Sequence, residues 1–190
     1  QAQAWQAAKD RRHLVVATPT ASGKSLCYTL PVVSAAMEQG AKALYLFPTK
    51  ALAQDQVAEL LELNAAGNLG LRAATFDGDP PGDARQSIRR NGDVVGSNPD
   101  MLHQAILPHH TKWAQFFENL EYVVIDEIHT YRGVFGSHLA NVLRRLKRVC
   151  AFYGANPRFI LCSATIGNHK EHAEAVIEAP VTAITESGAP

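Results

Sequence analysis

Short apolar runs alternate with longer amphipathic stretches along the whole chain. The runs 14–17, 43–47, 71–75, 94–96, 122–125, 159–162 and 181–184 are mostly rich in Val, Ile, Leu or aromatic residues and too short to be helices. They are predicted as strands, and their continuous apolar character fits burial on both faces. Between them, residues 24–38, 50–63, 81–90, about 100–105, 136–153 and 170–178 carry helical patterns. Strand and helix in alternation predict an α/β domain, a mostly parallel sheet with helices on both faces. In such a sheet, ligands bind beyond the carboxyl ends of the strands. The strand-to-helix turns are therefore where chemistry is expected. Residues 108–111, with His109 and His110, are expected to form a surface loop.

Composition narrows the class. The chain has 190 residues, 46% hydrophobic and 19% charged, enough for one domain with a sizeable core. Eighteen basic side chains balance eighteen acidic ones, so net charge points to no polyanionic partner. A local basic face could still bind phosphates. The three cysteines, Cys27, Cys150 and Cys162, are far apart, without metal-ligand spacing, and their odd number argues against a disulfide scaffold. No apolar run is long enough to span a bilayer, and the polar N-terminus lacks a secretory pattern, so a cytoplasmic protein without membrane attachment is expected.

The first predicted strand runs into Thr18-Pro19-Thr20-Ala21-Ser22-Gly23-Lys24-Ser25, where a helix begins. A triphosphate needs backbone N–H donors, a cation and a metal. A tight loop feeding a helix N-terminus supplies the donors and a favourable dipole. Thr20, Ala21, Ser22 and Gly23 would cradle the phosphates, Lys24 would reach the terminal ones, and Ser25 would place its hydroxyl on Mg²⁺. The strict pattern opens with glycine, whereas Thr18 holds that place.

A second signal follows the strand 122–125, which leads straight into Asp126-Glu127-Ile128-His129. Two carboxylates at the end of a buried strand are costly unless they meet a cation or a polar cleft. Asp126 fits a Mg²⁺ ligand, and Glu127 fits the group that orients or deprotonates the attacking water. Alone, such a pair can simply begin a helix. With Lys24 and Ser25 upstream, ATP hydrolysis is the better reading.

These residues resemble superfamily 2 helicases. Residues 18–25 look like motif I, and 126–129 like motif II of the DExH type. Ser163-Ala164-Thr165 looks like motif III. Pro48-Thr49-Lys50-Ala51-Leu52 resembles motif Ia, and Ser97-Asn98-Pro99-Asp100-Met101-Leu102 motif Ib. They occur in the family's order and span nearly the whole chain. The resemblance implies a RecA-like P-loop NTPase domain spanning residues 1–185, the first of two motor halves, with 186–190 starting an interdomain linker and the second half absent. It implies ATP and Mg²⁺ as cofactors, DNA and the second RecA-like domain as partners, and catalysis by Lys24, Asp126 and Glu127. Gln1, or else Gln3, occupies the place of the family's adenine-reading glutamine. Pro48, Thr49, Lys50, Ser97 and Asn98 would touch the nucleic-acid backbone, although helix capping explains several of them equally well. Ser163, Thr165 and His129 would couple nucleotide state to domain closure. A narrower likeness, carried by residues 126–138 and 17–27, is to the DNA-repair helicases of the mitomycin repair factor A group, which resemble RecQ-like enzymes. It implies 3′-to-5′ movement on DNA.

Other features fit blander roles. Asp77-Gly78-Asp79 is expected as a turn. His169 and His172 suit a solvated helix face better than a metal site. Arg144, Arg145, Lys147 and Arg148 suit a solvated face or a partner-domain contact. The rival functions are an RNA helicase, an ATP-gated nucleic-acid-binding module without unwinding activity, and a small-molecule kinase on the same kind of sheet.

Overall fold

The computed structural model of the chain describes residues 1–19, 23–78 and 81–186. After a first helix α1 (Ala2–Lys9), strand and helix alternate as β1 (Leu14–Ala17), α2 (Lys24–Gln39), β2 (Lys42–Leu46), α3 (Lys50–Gly67), β3 (Ala73–Thr75), α4 (Gly82–Asn91) and β4 (Val94–Ser97). A winding helical stretch, from α5 (Pro99–Met101) through a π-helix (Leu102–Ile106) and a 3-10 helix (Leu107–Trp113) to α6 (Ala114–Glu118), leads to β5 (Leu120–Ile125). A 3-10 turn (Ile128–Thr130), α7 (Gly133–Phe152), β6 (Arg158–Ser163), α8 (His169–Ile177) and β7 (Thr182–Ile184) complete the chain.

The seven strands form one parallel sheet in the order β3-β4-β2-β5-β6-β1-β7. All seven expected strands are present, within two residues of their expected ends. β1, β4 and most of β2, β5 and β6 are buried at every position. One face packs Val16, Tyr45, Phe47, Val124 and Cys162 against α1, α2 and α3. The other packs Leu44, Leu46, Val123, Ile125, Phe159 and Leu161 against α7, α8 and the Leu102–Glu118 stretch. All three cysteines are buried and unpaired, as expected of small core residues. No helix among the described residues is long and apolar enough to cross a membrane.

Three expectations need correction. Residues 108–111 are not an open surface loop, because they belong to the 3-10 stretch Leu107–Trp113, two helical pieces that meet at a kink at His109. Leu107 and Trp113 are fully buried, and the Trp113 ring meets Phe76 edge-on at 4.9 Å. Two buried anchors hold the segment down even though Pro108 and His109 face solvent. The expected helix at 100–105 turns from α into π geometry at Leu102. α1 had no counterpart among the expected helices, because its buried stripe is made only of alanines, Ala4, Ala7 and Ala8.

Candidate nucleotide and nucleic-acid site

The sheet order brings the carboxyl ends of β5, β6 and β1 side by side. Each carries one of the signals read from the sequence. Gly23 caps α2 in the left-handed region at φ 71°, a conformation that favours glycine. A Cβ there would also lie 2.7 Å from the Gln1 amide nitrogen, so Gln1 rests against the phosphate loop. Gln3 turns elsewhere and donates to Glu186 at 3.2 Å. Thr20, Ala21 and Ser22 lie outside the described residues. Lys24 and Ser25 open α2, both partly accessible.

Lys24 Nζ donates to the Ser163 carbonyl oxygen at 3.2 Å, linking the end of β1 to the end of β6. Asp126, at the end of β5, lies close enough to Lys24 for its charge to be felt. The Asp126 backbone N–H donates to Leu46 O at 3.0 Å, and its Oδ1 accepts from the Glu127 N–H at 2.8 Å. Burial nevertheless pushes the Asp126 carboxyl above the usual carboxylate range. Among the described residues it forms no ion pair. A half-buried carboxylate within reach of an ammonium's charge suits a hard divalent cation.

Glu127 adopts φ 55°, left-handed and uncommon for a residue with a side chain. Its carbonyl holds the turn closed by accepting from Thr130 N at 3.0 Å and Thr130 Oγ1 at 2.7 Å. His129 bridges two segments. Its Nδ1 accepts from the Ala164 N–H at 2.9 Å, and its Nε2 stands 2.9 Å from Glu127 Oε2. An accepting Nδ1 places the neutral ring's proton on Nε2, where it donates to the Glu127 carboxylate. The Ser163-Ala164-Thr165 turn is thus wired to the acidic motif through the imidazole. Ser163 Oγ is buried with no hydrogen-bond partner among the described residues, and Thr165 is exposed.

One contributor was not singled out in the sequence, and another was given a different role. Tyr28, one turn after Lys24, donates to Gln56 Oε1 at 2.9 Å and lies 3.4 Å from Asp126 Oδ2. The four-residue spacing from Lys24 was the available signal. His172 is not on a solvated face. It is half-buried, with Nε2 2.8 Å from Ile128 O, and braces the acidic motif from α8. Neither His172 nor His169 belongs to a metal-binding cluster among the described residues. The basic run is also structural in part: Arg144 pairs with Glu178, Arg145 donates to His103 O at 3.1 Å, and Lys147 donates to Ile177 O.

The ends of β2, β4 and β3 adjoin on the other half of the sheet. Pro48, Thr49 and Lys50 follow β2, and Asn98 follows β4. Thr49 caps α3 by accepting from Leu52 N at 3.3 Å, and Asn98 caps α5 by accepting from Met101 N at 2.9 Å. Lys50 Nζ stands 3.9 Å from Asp77 after β3. Ser97 departs from this surface group. It is 1% exposed and donates to Phe76 O at 2.7 Å, so its hydroxyl ties β4 to the end of β3.

The family profile described as "DEAD/DEAH box helicase" matches residues 1–173. The ATP-dependent helicase YprA of Bacillus subtilis is 56% identical over 191 residues, which cover 100% of this chain and 26% of YprA. The ATP-dependent helicase hrq1 of Schizosaccharomyces pombe is 46% identical over 84% of this chain and 15% of its own length. Among solved structures, the DUF1998 helicase MrfA bound to DNA and AMPPNP matches at 55% identity and a TM-score of 0.96, over 100% of this chain and 27% of that one. The DEAD-box helicase Mss116 bound to ssRNA and UDP-BeF, 18% identical, shares the fold with a TM-score of 0.73 over 92% of this chain and 36% of its own. This chain therefore spans about a quarter of YprA and of MrfA. By its profile match, the chain belongs to the DEAD/DEAH box helicase family.

Proposed function

We propose that the chain is the ATP-binding half of an ATP-dependent DNA helicase of the DExH type, moving 3′ to 5′ along single-stranded DNA in DNA repair in the cytoplasm. The carrying observation is the convergence of Lys24, Asp126, Glu127 and the Ser163 turn on three adjacent strand ends. The likeness to MrfA, whose structure holds DNA and AMPPNP, supports both ligands.

In this reading Gln1 contacts the base, and the loop from Thr20 to Gly23 cradles the phosphates. Lys24 leaves the Ser163 carbonyl for the terminal phosphate. Ser25 and Asp126 would hold Mg²⁺, which would supply charge neutralisation on the phosphates. Glu127 accepts a proton from the attacking water, and the Nε2–H of His129 keeps its carboxylate aimed. His129, Ser163 and Thr165 pass the change in nucleotide state toward a second RecA-like domain. Pro48, Thr49, Lys50 and Asn98 hold the DNA backbone from the neighbouring half of the sheet, where readers of base edges would impede translocation. Residues 1–185 form the motor domain, and the linker begins at Glu186.

The isolated domain should hydrolyse ATP poorly, so Glu127→Gln in the full-length protein tests the proposal: the variant should retain ATP and DNA binding and lose DNA-stimulated ATP turnover. Unchanged turnover removes Glu127 from catalysis, and equal stimulation by RNA and DNA removes the DNA assignment.

A further inference from the structure

A cationic groove lies beside the nucleic-acid half of the sheet. Between α4 and the Leu107–Trp113 helix is an open cavity of about 390 Å³ lined by Gly82, Gln86, Arg89, Arg90 and Lys112. Gln86 and Arg90 are one helical turn apart and share a face. Lys112 arrives from a separate element. Arg90 and Lys112 are exposed, and among the described residues no carboxylate pairs with Arg89, Arg90 or Lys112. Elsewhere Arg11, Lys42 and Arg144 each meet an acid. On a chain of zero net charge, this cluster is a local excess of positive charge.

Arg89 lies with its guanidinium 5.5 Å from the Phe76 ring centroid, and its Nε is buried with no hydrogen-bond partner among the described residues. Arg89 and Arg90 also offset the negative end of the α4 dipole. That does not account for Lys112, which stands outside the helix. The helix α4 is itself tied to the strand-end face. Arg85 of α4 donates to Gly78 O, just after Asp77, and Asp77 adjoins Lys50. At about 1.5 Å per residue, α4 is long enough to track more than one phosphate.

We infer that this groove is a second backbone-binding site, which takes phosphates of the nucleic-acid strand beyond those held at the ends of β2 and β4. The inference rests on the nucleic-acid reading above. Cations around an open groove suit a sequence-independent polyanion, because they impose no base-edge geometry.

The test compares a short and a long oligothymidylate by fluorescence anisotropy at several salt concentrations, using wild type and the double variant R90E/K112E. Both side chains are exposed, and circular dichroism confirms the fold. The long strand should bind the variant several-fold more weakly, with the slope of log K against log salt reduced by roughly 0.7 per lost contact. The short strand should bind both proteins alike. Wild-type behaviour on both lengths overturns the groove while leaving the motor reading intact. Equal loss on both lengths also overturns it, because the groove would then belong to the primary track. Failure of wild type to bind either length overturns the underlying nucleic-acid reading instead.

Discussion

Lys24 Nζ donates to Ser163 O at 3.2 Å, so the cation that opens α2 is held by the last residue of β6. In the proposed reading, a triphosphate would compete with that carbonyl for the ammonium, so that nucleotide binding would be felt at residues 163–165.

Lys24→Ala should therefore separate binding from folding. Nucleotide affinity, followed with a fluorescent ATP analogue, should fall at least tenfold. The lost hydrogen bond is only part-buried and is worth about 0.5–1.5 kcal/mol. Melting should shift by no more than about 2–4 °C per kcal/mol for a chain of this size. A variant that binds the analogue as wild type does would remove Lys24 from the site.

Asp126 shows function set against stability. Its carboxyl is pushed up by burial, so its ionised form costs folding free energy near neutral pH. For a carboxyl raised in the folded state, the folded protein takes up the proton first. The Asp126 contribution is therefore most favourable at low pH and is lost as pH rises from the ordinary carboxylate range through the raised folded value. Asp126→Asn removes that cost and keeps an oxygen acceptor for the Glu127 N–H. Without nucleotide or Mg²⁺ it should melt higher than wild type at pH 7, with Mg²⁺-dependent turnover abolished. An equal or lower melting temperature contradicts this account.

His129 touches Glu127 and Ala164, and its effect should appear in rate more than in binding. His129→Ala should lower kcat by roughly 10-fold to 100-fold, the scale for partners that orient a functional group. KM for ATP should hold within about twofold, because the interaction matters in the transition state and not in the ground state. A raised KM with unchanged kcat would place the imidazole on the nucleotide instead.

Much of this arrangement was legible in the sequence, and for identifiable reasons. Fully buried parallel strands leave continuous apolar runs, so β1, β2, β4, β5 and β6 announce themselves in Leu, Val, Ile and aromatic residues. Asp126 and Glu127 stand out because charges directly after such a run are expensive without a purpose, and Lys24 because it sits in a Gly-Lys-Ser loop at a helix start. What stayed hidden depends on tertiary contact. Tyr28 and His172 are ordinary helical residues until α2 and α8 pack against the acidic motif. Ser97 sits in a motif that suggests surface contact, yet the register of β3 on β4 buries its hydroxyl against Phe76 O. The Leu107–Trp113 helix is masked by Pro108 and two histidines, and only the burial of Trp113 reveals why it is ordered.

His13 gives a pH dependence that is independent of the active site. Its ring Nδ1 accepts from the Phe159 N–H at 3.0 Å, which requires the neutral form. Burial first, then the charges of Arg158 and Lys147, lower its pKa from 6.5 to about 4. The unfolded chain binds this proton near pH 6.5, and the folded chain does not until about pH 4. The His13 contribution to stability is therefore complete above pH 6.5 and is lost progressively as pH falls through that window. The ring is partly exposed, so solvent screening reduces the loss to about 1–2 kcal/mol. His13→Asn keeps a side-chain oxygen to accept from Phe159 and cannot take up the proton. Urea unfolding at intervals from pH 7 to pH 4 should show wild type losing more stability than the variant, although other carboxyl groups titrate in both. Parallel curves for the two proteins would mean that the His13 ring protonates alike in the folded and unfolded chain.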